Sequence, residues 1–166
     1  VARSTEWKPL NRGGANFRTH TLVQRDGYRI ALAKSLGLHL FGATFLIVGL
    51  ICCGVGVVGP EWLVALFGLP FAAVGLWFVI PRNILFDAET RQFTANGKTT
   101  YFGSIHAIQI VAERVDGGDS ADYTSFELNL VLKDGQRVHV IDHSDIASIR
   151  SNAQRLAGHI GCKVWD

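Results

Sequence analysis

The stretch LGLHLFGATFLIVGLICCGVGVV, residues 36–58, and the stretch WLVALFGLPFAAVGLWFVI, residues 62–80, decide the fold of this chain. Neither contains Asp, Glu, Lys or Arg, and only Gly59, Pro60 and Glu61 separate them. At about 1.5 Å of rise per residue, each stretch reaches the roughly 30 Å of a hydrocarbon layer. A helix that is apolar on every face over this length is typical of a membrane span. The sequence therefore predicts a two-helix transmembrane hairpin over residues 36–80.

Charge on either side of the hairpin predicts its orientation. Residues 1–35 carry seven basic and two acidic side chains, and the turn between the spans carries no basic residue. Because basic residues are retained on the cytoplasmic side, both termini are expected in the cytoplasm. A basic segment beside a span also attracts anionic headgroups, at about 1 kcal/mol per residue. The candidate contacts to anionic lipid are Arg25, Arg29, Lys34 and Arg82.

The remainder of the chain has the pattern of a β-domain. Apolar Phe126, Leu128, Leu130 and Leu132 alternate with residues such as Glu127, the period of two of a half-buried strand. Asp134-Gly135 follows at once and is typical of a tight hairpin turn. Similar patterns predict about seven antiparallel strands in all, two of them before the membrane hairpin.

A C-terminal amphipathic helix completes the predicted fold. Ser144 or Asp145 can cap its start, an apolar stripe follows from Ile146 to Ile160, and Gly161 is a natural stop. The fold class is thus a membrane α-hairpin inserted in an α+β soluble domain. The predicted organisation is a basic N-terminal arm at 1–19, two strands at 20–35, the transmembrane hairpin at 36–80 and the rest of the soluble domain at 81–166.

Three segments carry a resemblance to a known family. They are SIHAIQIVAERV at 104–115, YTSFELNLVLKDGQRVHVIDHSD at 123–145 and AQRLAGHIGCKVWD at 153–166. The chain resembles a family of uncharacterised bacterial inner-membrane proteins with two spans and a soluble domain similar to bacterial pleckstrin-homology-like domains. The resemblance implies that fold and a bacterial inner-membrane location, and it implies no activity.

Candidate chemistry in the sequence is sparse. His139 and His143, with Asp142 and Asp145 beside them, form the closest group of metal-binding residue types. On a regular strand the two histidines would stand about 13 Å apart, too far to share one metal ion. His39, near the start of the first span, is the one candidate ligand for a pigment or haem. No nucleotide-binding or nucleophile motif occurs, so we expect no catalytic residue, no small-molecule substrate, no metal and no cofactor.

Nucleic-acid binding is excluded on charge. Residues 82–166 carry nine basic and eleven acidic side chains, which gives no basic face for phosphates. The three cysteines, Cys52, Cys53 and Cys162, suggest no disulfide framework.

Small residues recur along one side of each span. In membrane helices such stripes permit close helix contacts, either within the hairpin or with a partner protein. The candidate packing and partner-contact residues are Gly42, Gly49, Cys53 and Gly56 in the first span and Ala65, Gly68, Ala72 and Gly75 in the second.

These patterns favour a non-catalytic inner-membrane interaction protein, an accessory, assembly or stabilising subunit of a larger membrane protein complex. Two alternatives stay open at this point. One is a lipid-responsive module that reads anionic headgroups, and the other is a cofactor-bearing subunit that uses His39.

Overall fold

The computed structural model of the protein describes residues 5–16, 18–81, 84–95, 97–118 and 121–166. It forms two compact units, Val1–Ala33 with Asn83–Asp166, and Lys34–Arg82. The elements in chain order are β1 His20–Gln24, β2 Arg29–Lys34, α1 Leu36–Val58, α2 Trp62–Val79, β3 Ile84–Asp87, β4 Gln92–Ala95, β5 Lys98–Tyr101, a 3-10 turn Phe102–Ser104, β6 Ile105–Val115, β7 Tyr123–Leu132, β8 Arg137–His143, α3 Ile146–Ile160 and β9 Lys163–Trp165.

The first unit is built from two β-sheets. One sheet has five strands in the order β1-β2-β3-β4-β5, and the other has four in the order β8-β7-β6-β9. Strand β2 pairs antiparallel with β3, from Arg29 opposite Asp87 to Leu32 opposite Ile84. The strands before and after the two apolar helices therefore belong to one sheet, as the sequence predicts.

Two features of the β-domain differ from the prediction. The described residues contain nine strands rather than about seven, and the three-residue β9 is too short for a sequence period to show. In addition, β9 pairs parallel to β6, with Val164 opposite Ile108. The prediction of a wholly antiparallel domain is wrong here because α3 carries the chain back across the sheet and reverses its direction.

The core of the first unit joins both sheets and α3. As the alternation predicts, Leu128 and Leu130 are fully buried, and Phe126 and Leu132 pack against the core at its margin. The largest side chains that fill it are Phe86, Phe93, Ile108, Leu128, Leu130, Ile141, Ile149 and Leu156.

Helix α3 begins and ends where its sequence signals predict. Asp145 accepts a hydrogen bond from the Ala147 amide at 2.9 Å, so it is Asp145 that caps the helix. Gly161 ends the helix in the left-handed conformation at φ 83°. The buried stripe consists of Ile149, Ala153, Leu156, Ala157 and Ile160.

The second unit is the pair of helices α1 and α2. Both are long and apolar enough to cross a membrane, and only 17% and 11% of their most apolar windows are buried. The core helix of a soluble protein would be mostly buried. Ser35 caps α1 by accepting from the Leu38 amide at 3.2 Å. At the same end of the pair, Lys34 Nζ donates to the carbonyl oxygens of Phe78 at 2.8 Å and Ile80 at 2.6 Å, near the end of α2.

Candidate functional site

The small residues of the two spans lie at the contact between α1 and α2. A methyl group added at Gly42 would stand 2.6 Å from the Cβ of Phe78, and one added at Gly68 would stand 2.7 Å from the carbonyl oxygen of Gly49. Side chains at these positions would hold the helix backbones apart.

The remaining small residues lie in the same contact. A methyl group would overlap the backbone of Ala72 if added at Gly49, the backbone of Ala65 if added at Gly56, and that of Leu46 if added at Gly75. The thiol of Cys53 lies 3.6 Å from the carbonyl oxygen of Ala65. These residues therefore contact each other within the hairpin, and their contact with a partner protein stays a prediction.

A row of aromatic rings crosses from one helix to the other. We call Phe41, Phe45, Phe67, Phe71 and Phe78 the phenylalanine ridge. Ring centroids lie 4.8 Å apart for Phe41 and Phe45, 5.4 Å for Phe41 and Phe78, 5.8 Å for Phe45 and Phe71, and 5.2 Å for Phe67 and Phe71. Phe41 and Phe67 are exposed, so the ridge forms part of the outer surface of the hairpin.

Two of the predicted lipid contacts have partners inside the protein. Arg29 Nε lies 2.9 Å from the Asp87 carboxylate, and the same guanidinium contacts Asp26 and Glu89. The hydrogen bond and charge of Asp87 raise the pKa of Arg29 further. Lys34 is held by the carbonyl oxygens at the end of α2. Arg25 is exposed, and Arg82 lies outside the described residues.

His39 is half-buried one turn into α1. Its Nδ1 lies 3.0 Å from the carbonyl oxygen of Ser35, so the Nδ1–H tautomer donates a hydrogen bond to the helix start. That contact orients the ring, and a ligand role for His39 stays a prediction.

In the soluble unit, the N-terminal arm covers the outer face of the four-stranded sheet. By the outer face we mean the face of this sheet that carries Ser125, Glu127 and Asn129, opposite the core. Glu127 accepts hydrogen bonds from the amides of Leu10, at 2.8 Å, and Asn11, at 2.9 Å. Ser125 Oγ accepts one from the Ala15 amide at 2.9 Å. Residues 5–16 are thus held as a strap across the sheet.

More side chains of the sheet bind the strap. Gln109 donates to the carbonyl oxygen of Glu6 at 3.1 Å, and Arg137 donates to that of Lys8 at 2.7 Å. Tyr123 donates to the carbonyl oxygen of Gly13 at 3.2 Å. Because most of these contacts reach the backbone of the strap, they depend little on its side chains.

Burial under the strap corrects the prediction of a half-buried strand. Glu127 is 2% exposed and Asn129 is fully buried, although both lie on the face opposite the core. The alternation gives the two faces of β7 correctly but cannot show that a distant segment covers the second one. The sequence did carry a sign that this face is covered, because Ser125, Glu127 and Asn129 are three hydrogen-bonding side chains in succession on it.

A β-bulge in β8 brings polar side chains together on the outer face of the four-stranded sheet. In β8, His139 lies opposite Asn129 and Asp142 lies opposite Glu127, while Val140 is the extra residue between them. The bulge brings His139 and Asp142 to the same face, with Nε2 and Oδ2 3.2 Å apart. We call Glu127, Asn129, His139 and Asp142 the outer-face quartet.

His143, which the sequence grouped with His139, points to the other side of the strand. It is buried opposite Phe126, and its Nδ1 accepts from the Asp145 amide at 2.8 Å. A neutral imidazole has one acceptor nitrogen, so Nε2, 3.1 Å from Arg18 Nε, cannot accept as well. Burial and the charge of Arg18 lower the pKa of His143, which keeps the ring neutral at the corner before α3.

No protein-family model matches this chain, and no curated protein matches it in sequence. The class of protein is therefore defined by the fold alone: a two-helix hairpin long enough to span a membrane, inserted between adjacent strands of a β-domain that closes with helix α3 and the short strand β9.

Proposed function

We propose that this protein is a non-catalytic integral protein of a bacterial inner membrane that acts as an accessory or assembly subunit of a larger membrane protein complex. The hairpin anchors the protein, and the β-domain, with pleckstrin-homology-like topology, stands on the cytoplasmic side with both termini.

The dimensions of the hairpin support the anchoring role. Helix α1 has 23 residues and α2 has 18, which correspond to about 35 Å and about 27 Å of length. Their outer surfaces carry large apolar side chains such as Val58, which is 91% exposed, and Trp62. A surface of this kind is stable in lipid and would aggregate in water.

The phenylalanine ridge is the observation that carries the partner role. Apolar side chains gain little by leaving lipid for a protein surface, so contacts between membrane proteins depend on close packing. Rings that already contact one another across both helices have lost their freedom before a partner arrives. The ridge therefore offers a rigid surface to an apolar helix at a small further cost in side-chain entropy.

The lipid-responsive alternative receives less support. Arg29 and Lys34 are engaged by carboxylates and carbonyl oxygens of this protein, so a headgroup would have to displace those contacts. The basic residues before α1 are explained by the orientation of the hairpin in the membrane rather than by lipid recognition.

Site-specific photo-crosslinking in native membranes tests the proposal. A photoreactive phenylalanine analogue at position 67, on the ridge, should give one defined crosslinked protein. The same analogue at position 50 is the matched control, because Leu50 is 58% exposed, similar to 63% for Phe67, and makes no described ring contact. Crosslinks to lipid alone from both positions would contradict a partner at the ridge.

A pair of double variants then tests the contribution of the ridge to binding. We expect Phe41→Ala with Phe67→Ala to reduce the co-purified partner at least tenfold in mild detergent. Leu50→Ala with Leu69→Ala removes exposed apolar groups elsewhere and should retain it. If both variants retained the partner equally, the phenylalanine ridge would contact lipid rather than the partner.

A further inference from the structure

We infer that Glu127, His139 and Asp142 of the outer-face quartet bind a divalent transition-metal ion of the Zn²⁺ class, with the amide oxygen of Asn129 as a further ligand. This inference goes beyond the proposed membrane role, because it concerns a site within the β-domain.

The backbone sets the geometry of the site. Directly opposed residues of an antiparallel pair have Cβ atoms about 4.5–5.5 Å apart. Glu127 opposes Asp142 and Asn129 opposes His139, so four side chains form the corners of one rectangle on the outer face. Without the bulge at Val140, His139 and Asp142 would point to opposite faces.

The distances suit a single ion. One ligand atom from each of Glu127, His139 and Asp142 lies within 4.8 Å of the others. Ligands bound at about 2.1 Å in a tetrahedron stand about 3.4 Å apart. His139 Nε2 and Asp142 Oδ2, at 3.2 Å, already have this spacing.

The charges of the quartet favour a bound cation. Two carboxylates placed directly opposite each other repel. Among the described residues, no lysine or arginine forms an ion pair with Glu127 or Asp142. A divalent ion between them would neutralise both carboxylates at once.

An unpartnered polar atom at the same place points independently to a ligand. Asn129 is fully buried, and its amide nitrogen donates to Glu127. Its Oδ1 accepts no hydrogen bond from the described residues. Buried polar atoms without partners are rare, and an amide oxygen is an acceptable metal ligand. His139 Nε2 is likewise buried and, although near Asp142, is not aligned for a hydrogen bond.

The strap holds the carboxylate of Glu127 in place. The carboxylate receives three N–H donors, from Leu10, Asn11 and Asn129, and the Leu10 amide is shared between its two oxygens, so a bound ion would replace one of these two Leu10 contacts. These donors fix the orientation of the carboxylate, as partners of metal ligands generally do. One imidazole with two carboxylates suits Zn²⁺, Mn²⁺ or Fe²⁺ better than Mg²⁺ or Ca²⁺, which prefer oxygen ligands alone.

Zn²⁺ titration of the full chain in detergent, with Co²⁺ as the spectroscopic probe, tests the site. We expect one ion per chain and a Co²⁺ absorption spectrum that Zn²⁺ abolishes by displacement. Loss of even an outer partner of a metal ligand reduces affinity about 10- to 100-fold, so His139→Ala should weaken binding at least 100-fold. His106→Ala is the matched control, because His106 is an exposed strand histidine beside Trp165 and should bind like the wild type.

Two further measurements guard against a folding artefact. His139→Gln keeps a polar side chain opposite Asn129 and should fold while still losing the ion. Saturating Zn²⁺ should also raise the thermal midpoint of the wild type but not of His139→Gln. Absence of stoichiometric binding to the wild type, or equal binding by His139→Gln, would overturn the proposal.

Discussion

Glu127 has a role that its position in the sequence conceals. On a strand with strict alternation it occupies the place of a solubilising residue, yet it is almost fully buried and holds the amides of Leu10 and Asn11. A carboxylate that accepts several amide donors makes stronger hydrogen bonds than a neutral acceptor does. The single charge therefore does much to fix the strap on the sheet.

Glu127→Gln should release the strap. The substitution keeps the shape but removes the charge, and hydrogen bonds to a charged group contribute about 1.5–3 kcal/mol each. We expect the amides of residues 10 and 11 to exchange hydrogen at least tenfold faster, as measured by mass spectrometry. Glu113→Gln, which loses only a 3.4 Å contact to the Gly13 amide, is the control and should exchange nearly as the wild type does.

Asp87, at the end of β3, bonds both to β2 and to the turn that connects β3 with β4. One carboxylate oxygen accepts from the amides of Thr90 and Glu89, and the other binds Arg29. The hydrogen bond from Thr90 and that from Arg29 lower the pKa of Asp87 below its usual value. Folding therefore favours the ionised form, and the stability that this carboxylate contributes is present above its unfolded pKa.

This shift predicts an acid-dependent difference for Asp87→Asn. We expect the variant to be less stable than the wild type at pH 7. The gap should close as the pH falls below about 4, through the lowered pKa, because the wild type then also loses the charge. Denaturant unfolding between pH 7 and pH 2.5 measures the effect. Glu89→Gln, at the exposed end of the same network, should show a smaller gap, and a constant gap for Asp87→Asn would contradict this account.

At the scale of elements, α1 and α2 were predictable because a membrane span needs only length and apolarity, both of which are local in sequence. Helix α3 was predictable for a similar reason, since its cap, stripe and stop all lie within the helix. Strand β9 could not be predicted, because three residues are too few to show a period. Its pairing with β6 also depends on where α3 returns the chain. The outer-face quartet was missed because its geometry depends on a bulge, which the alternation does not reveal.

Gly49→Leu should separate the two helices. The larger side chain would overlap the backbone of Ala72, and overpacking of this kind destabilises by about 1–3 kcal/mol. Membrane insertion should persist because Leu is more apolar than Gly. Gly54→Leu is the matched control, since a side chain at Gly54 meets no neighbour within 4 Å. Thermal unfolding in detergent should be lowered for the first variant only, and identical curves would exclude a packing role for Gly49.

For the whole molecule, the helix pair occupies the position of a β-turn. Residues Arg29 to Leu32 pair with Asp87 to Ile84, so the helix pair connects the adjacent ends of two paired strands. We therefore expect the sheet to need the helix pair only as a connection. The charge and hydropathy patterns predicted that the helix pair is inserted in the soluble domain. Only the structure shows the register between β2 and β3, in which the helix pair takes the place of a turn.

Replacement of residues 34–82 by Asn-Gly should yield a soluble, folded β-domain. A two-residue Asn-Gly turn closes an antiparallel pair in this register. We expect a monomer with a β-rich circular dichroism spectrum and a cooperative unfolding transition. The same excision with Leu130→Asp is the negative control, because a charge in the fully buried core should unfold it. Insoluble or unfolded protein from the excision alone would show that the hairpin contributes more than a connection.

The contacts of Lys34 with the end of α2 bear on the order in which the chain acquires its structure. Strands β2 and β3 are separated by the whole hairpin, so their pairing in an open chain would require closure of a long loop. Once the two helices have formed, the Lys34 ammonium holds the first residue of the hairpin beside the carbonyl oxygens of Phe78 and Ile80. We expect this contact to close the loop before the strands pair, so that β2 and β3 pair as fast as strands that are close in sequence. Formation of the helix pair would in this way act as the nucleation step for the sheet.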